Sequence, residues 1–142
     1  MINRSVSRFL VAAAVAAGTL VPAAPAYAGS DCPWYAVCGD VYNRSGGHQI
    51  RIAGCWSDSY GSRYYADELP CNPEMELANG RDSDDYSGFE DTDAFRAYKG
   101  CVTKVVGTAP QGMTTTYDRR GLGSMWIKIN DAQDVTVKSI TC

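Results

Sequence analysis

Three groups of residues in this chain are candidates for a functional site. The first is Asp82, Asp84, Asp85, Glu90, Asp91 and Asp93, six carboxylates within twelve residues. Hard oxygen ligands at that density suit a calcium ion. The order is wrong for an EF-hand, however. Tyr86 would fill the fifth position, Ser87 rather than Gly the sixth, and Asp93 rather than Glu the twelfth. Segment 82–93 therefore reads as a solvated acidic loop, and no metal ligand is assigned. The second group centres on His48, the single histidine, which rules out every site built on two imidazoles. His48 could act as a general base with Glu68, Glu74 or Glu76 as the acid, which makes a small secreted hydrolase the third of three functional readings. Neither G-x-S-x-G nor H-E-x-x-H is present. His48 sits beside Gly46-Gly47, where an exposed turn histidine is the simpler reading, so no catalytic residue is assigned.

The third group is aromatic: Trp34, Tyr35, Trp56, Tyr60, Tyr64 and Tyr65 crowd the first half. Such rings stack on sugars or anchor protein interfaces. Between Cys55 and Cys71 lie Ser57, Ser59, Tyr60, Gly61, Ser62, Arg63, Tyr64 and Tyr65. Cysteines at both ends could clamp this loop in an extended shape, which lowers the entropy lost on docking. Arg63 would suit the acidic specificity pocket of a trypsin-like protease, with Tyr64 and Tyr65 as neighbouring anchors. Tyr60, Arg63, Tyr64 and Tyr65 are thus the expected binding residues, on an exposed loop. Trp56 and Trp126 are expected to be at least partly buried.

These residues need a scaffold, and the chain describes one. Arg4 and Arg8 precede an apolar run at residues 9–21, and Ala26-Tyr27-Ala28 has the small-x-small form of a signal-peptidase site. The apolar run is too short for a permanent membrane anchor. Residues 1–28 therefore read as a signal peptide and 29–142 as a single secreted β domain. Export makes the six cysteines, Cys32, Cys38, Cys55, Cys71, Cys101 and Cys142, candidates for three disulfides, and the absence of C-x-x-C weighs against zinc. Fifteen pairings are possible; Cys55–Cys71 and Cys101–Cys142 are the two expected here. Oxidised cysteines leave no thiolate nucleophile. The Ala-rich leader looks bacterial, so the sequon Asn43-Arg44-Ser45 is not read as a glycosylation site.

After residue 28, Val and Ile together number twelve against three Leu, with eight Tyr, a β composition. Val41-Tyr42, then 43–47 with Gly46-Gly47, then Gln49–Ile52 read as a hairpin. Residues 94–106 form an extended region broken at Gly100. Residues 124–129 place Ile127 and Ile129 on one face and Trp126 and Lys128 on the other. In 134–142, Val135 and Val137 alternate with Thr136 and Lys138, after a turn at Asn130-Asp131. The fold class is all-β, a small antiparallel sandwich or barrel stabilised by disulfides.

Val41–Gly46, Asp91–Phe95 and Met125–Ile129 resemble a group of small exported actinobacterial proteins of uncharacterised function. That likeness spans most of the chain after residue 28 and implies an exported protein, with no activity, cofactor or binding residue to carry over. A second likeness, confined to Cys32-Pro33 followed by four residues and Cys38, is to the crystallin-like actinobacterial metalloproteinase inhibitors. The chain departs from them: no Gly stands second after Pro33. The formal charge of −3 weighs against nucleic acid or an anionic membrane as partner. The expected protein is a secreted, disulfide-stabilised binding protein without a cofactor, a protease inhibitor or protein-binding module. The alternative is a cell-wall or polysaccharide-binding module. Its partner is an extracellular protein or glycan, with no membrane contact after signal cleavage.

Overall fold

The computed structural model describes residues 38–107 and 112–142 (for Asp58, the backbone alone). The expected signal peptide, Cys32, Trp34 and Tyr35 lie outside them. The described chain forms strands β1 (Val41–Asn43), β2 (Ile50–Ala53), β3 (Tyr65–Ala66), β4 (Glu74–Leu77), β5 (Ala94–Ala97), β6 (Val102–Gly107), β7 (Met113–Asp118), β8 (Met125–Lys128) and β9 (Val135–Thr141). They make two sheets, ordered β1-β9-β6-β7 and β3-β8-β5-β2-β4. The pairs are antiparallel except β1 with β9, which is parallel. Val41, Val105, Val135, Val137 and Ile140 of the first sheet share one core with Ile50, Ile52, Leu77, Phe95 and Ile127 of the second. Of the sandwich or barrel expected from composition, the all-β chain forms the sandwich, with two sheets.

The expected hairpin between residues 41 and 52 is not formed. The turn is real: Gly46 and Gly47 hold φ of +83° and +136°, the region glycine reaches without strain. Its two flanking strands part company, β1 joining β9 and β2 joining β4 and β5. Asn43 makes the crossing stable. Its fully buried side-chain amide donates to the carbonyls of His48 and Leu77 at 2.9 and 2.8 Å, and its Oδ1 accepts from the Ser45 amide at 3.1 Å. Residues 94–106 split in the same way, with Gly100 at φ +78° where the chain passes from β5 in one sheet to β6 in the other.

Strand β9 departs from simple alternation. Lys104 is opposite Ser139 while Val105 is opposite Val137, so Lys138 is the extra residue of a bulge. The bulge resets the phase, so that Val135, Val137 and Ile140 are all buried. Ile127 and Ile129, expected on one face, are both buried. Trp126 points to the opposite face of β8 yet is only 1% exposed. A second cluster, Ala53, Trp56, Ala66, Ala94 and Trp126 with Tyr60 and Leu69 against it, covers that outer face. The 55–71 loop thus acts as a third layer. Cys55–Cys71 and Cys101–Cys142 are bonded as expected, and Cys38 is disulfide-bonded too. No helix among the described residues is long and apolar enough to cross a membrane.

Candidate functional site

The disulfide between Cys55 and Cys71 closes the 55–71 loop, and the burial of Trp56 at 7% exposure pins it to the second sheet. The loop then makes a 3-10 turn, Asp58–Tyr60, and a tighter turn in which the Arg63 amide donates to the Tyr60 carbonyl at 3.1 Å. Gly61 at φ +52° allows that second turn. The loop returns to regular structure at β3, where Tyr65 and Ala66 pair with Ile127 and Trp126 of β8. The extended shape expected of an inhibitory loop is therefore not observed ahead of Arg63, where two successive turns end at its amide. The run of Ser, Asp and Gly at 57–62 favours turns over strand, which is the local reason.

Of the four expected binding residues, Tyr60, Arg63 and Tyr65 come together. With Ala66, Asp67 and Glu68 they line a depression of about 250 Å³. Tyr60 is half-buried, its ring 5.4 Å from that of Trp56 and tilted by 51°. Arg63 is exposed. Tyr64 stands outside the lining, 55% exposed, its carbonyl accepting from the Lys128 amide at 2.9 Å.

Tyr65 has the more informative position. Register places it in a row with Ile127, Phe95 and Ile52 across the second sheet. Those three are core residues, so Tyr65 belongs to the inner face of the sandwich. It is nevertheless 54% exposed. The first sheet ends at β7, which lies over β8: Met113, Thr115 and Tyr117 line a cavity of about 80 Å³ together with Phe95, Val105, Ile127 and Val135. The Tyr117 ring meets Phe95 edge-on at 5.6 Å, and its hydroxyl pKa is pushed up to about 12 by burial and then by Tyr65 nearby. Sequence reasoning missed Met113, Thr115 and Tyr117. Tyr117 sits in an unremarkable Thr-rich strand whose position at the sheet edge has no local signal.

The acidic segment disperses in the structure. Asp82 pairs with Arg44, Asp85 with Arg81, and Glu90 accepts from the Gly88 amide. Asp91 and Asp93 converge instead on Asp131 from the β8–β9 turn, with carboxylate oxygens within 4.8 Å of one another. Burial pushes the Asp93 carboxyl up to about 6, with further upward pushes from Asp91 and Asp131. Asp40 is likewise raised to about 6, by burial and then by Asp84 and Asp134. Asp131 lies outside the segment the sequence singled out, since only the fold brings the turns together. His48 is exposed in the crossing turn, where its carbonyl rather than its ring is used; Glu74 and Glu76 flank Arg51 at 3.4 Å, and Glu68 lies in the 55–71 depression. No family model, curated protein or solved structure matches the chain.

Proposed function

We propose that this protein is a secreted, disulfide-stabilised binding protein that recognises an extracellular protein through the face made by the 55–71 loop. The observation that carries this reading is the pair Tyr64 and Tyr65, each more than half exposed on a backbone held by a disulfide and by pairing to β8. Rigid, exposed aromatics contribute large contact area with little entropy lost, which is how interface anchors work. Inhibition of a trypsin-like protease through Arg63 has less support, because protease clefts take an extended strand and Arg63 follows a tight turn. A glycan is the second reading, favoured by the depression itself: a tyrosine ring beside two carboxylates and one guanidinium suits stacking and hydroxyl recognition.

The test runs two assays side by side. Immobilised protein is exposed to spent culture medium, and soluble protein is mixed with insoluble chitin, cellulose and peptidoglycan. A stoichiometric protein complex that Tyr65→Ala weakens at least tenfold, or ~1.4 kcal/mol, supports the first reading. Retention on a matrix that Tyr60→Ala abolishes supports the second. Failure of both assays ends the binding proposal.

A further inference from the structure

The two edges of the first sheet are treated differently. The outer edge of β1 is occupied by its own chain: the Val41 amide donates to Ser83 Oγ, the Asn43 amide to the Arg81 carbonyl, and the Gly80 amide to the Asn43 carbonyl. Strand β7 at the other edge has no such cover among the described residues; its one strand neighbour is β6. The Arg119 amide donates to the Cys101 carbonyl at 2.8 Å, and this pair continues the β6–β7 register. Antiparallel bonding alternates, so Met113, Thr115 and Tyr117 turn their amides and carbonyls toward β6, while Thr114, Thr116 and Asp118 turn theirs outward. Thr114, Thr116 and Asp118 are also exposed. Six residues with no Pro, no Lys and no bulge toward solvent make an unguarded edge.

We propose that the open edge of β7 accepts an acidic, extended peptide of the protein partner as a fifth strand of the first sheet, closing over Tyr65. This rests on the protein-binding reading above and names its mode and chemistry. The sandwich is one strand short at this place. β7 lies over β8, with Tyr117 beside Tyr65, and Tyr65 on the inner face of β3 is still 54% exposed in a row of core side chains. A strand added ~4.8 Å beyond β7 falls over β3. Its alternate side chains would then point at Tyr65, Tyr117 and the mouth of the cavity, and so are apolar or aromatic.

Charge selects the partner. Residues 99–128 carry Lys99, Lys104, Arg119, Arg120 and Lys128 against a single carboxylate, Asp118, in a chain that is acidic overall. Asp118 is already taken by Arg120, and exposed Lys104 is directly opposite Thr116 on the next strand. A second copy of this chain fits poorly here. Edge-to-edge pairing of two β7 strands would bring both overhanging β3 strands into the same one-strand gap and set two Asp118 carboxylates and two Lys104 side chains close together. A single strand with Glu or Asp at its outward positions meets neither obstacle.

The experiment uses the disulfide-bonded protein and two ten-residue synthetic peptides, one alternating Val or Tyr with Glu, the other alternating the same residues with Lys. Binding is followed by NMR, together with amide hydrogen exchange at Thr114 and Thr116. The expected result is a Kd of about 1 mM or tighter for the Glu peptide, at least tenfold slower exchange at both amides on saturation, and at least tenfold weaker binding of the Lys peptide. Thr116→Pro removes an outward amide without touching the ladder to β6 and should weaken the Glu peptide at least tenfold; Thr114→Pro is the independent second variant. Equal binding by both peptides, or wild-type binding by both variants, overturns the proposal. So does slow exchange at these amides in the protein alone, because the edge is then filled by residues 1–37 or by a second copy. Tyr65-dependent capture of a protein with no response at the β7 amides leaves the binding reading standing and ends strand addition; loss of both removes the binding reading itself.

Discussion

The two edges of the sandwich solve the same problem in opposite ways. At the β1 edge every outward backbone group named above meets a partner from residues 80–83, and the side chain of Asn43, fully buried, joins β1 to the His48 turn and to β4. At the β7 edge the outward groups meet no partner strand among the described residues, and an inner-face tyrosine stays half exposed. Buried polar groups must be paired, so the first edge is intolerant of change. Exposed ones are already solvated, so the second is free to be changed by function. A sealed edge holds the fold together, whereas an open one is available for a partner.

Asn43→Leu should break the sealed edge most severely. It removes three side-chain hydrogen bonds and strands the buried Ser45 amide, for a loss of about 3 kcal/mol in denaturant unfolding. A loss below about 1 kcal/mol would mean that the crossing, not the amide, holds the edge. Gly47→Val, in the adjacent turn, should cost about 1–2 kcal/mol because a β-branched residue is strained at φ +136°. No clash contributes, since a Cβ there meets nothing within 4 Å; an unchanged midpoint would show that the turn relaxes freely.

The acidic cluster at the β1 end adds a pH signature the open edge lacks. Asp40 and Asp93 titrate near 6 when folded and near 3.8 when unfolded, so the folded state holds more protons between those values. Their contribution to stability is therefore fullest below about pH 4, falls as the pH rises to about 6, and then levels off. After allowance for solvent screening of partly exposed carboxylates, Asp93 should account for about 1 kcal/mol of that fall, or roughly 4–8 °C in Tm. Asp93→Asn should flatten the curve between pH 4 and pH 7, and a parallel curve would assign the dependence elsewhere. The smallest effect belongs to the open edge. Thr116→Ala should change unfolding free energy by less than about 0.5 kcal/mol, as expected of an exposed outward residue. A larger loss would show that β7 is not free.

The class of this protein is legible in its composition. Val and Ile in excess over Leu, glycine at each turn and paired cysteines point to a disulfide-bonded β fold, and the structure has one. Local alternation also placed Ile127 and Val137 inside correctly, since period-two patterns are set by adjacent residues. The loop bearing Tyr60, Arg63 and Tyr65 was legible too, because aromatic and turn residues cluster between two cysteines. Which strand each strand joins is a matter of long-range pairing. Val41 and Ile50 look like neighbours across a hairpin, yet long-range pairing with Val135 and Leu77 separates them into two sheets. The same long-range choice gathered Asp131 to Asp91 and Asp93, covered Trp126 with a loop, and left Tyr65 uncovered. Alternation says which way a side chain points relative to its strand, but what lies above it is set by packing between segments far apart in the chain.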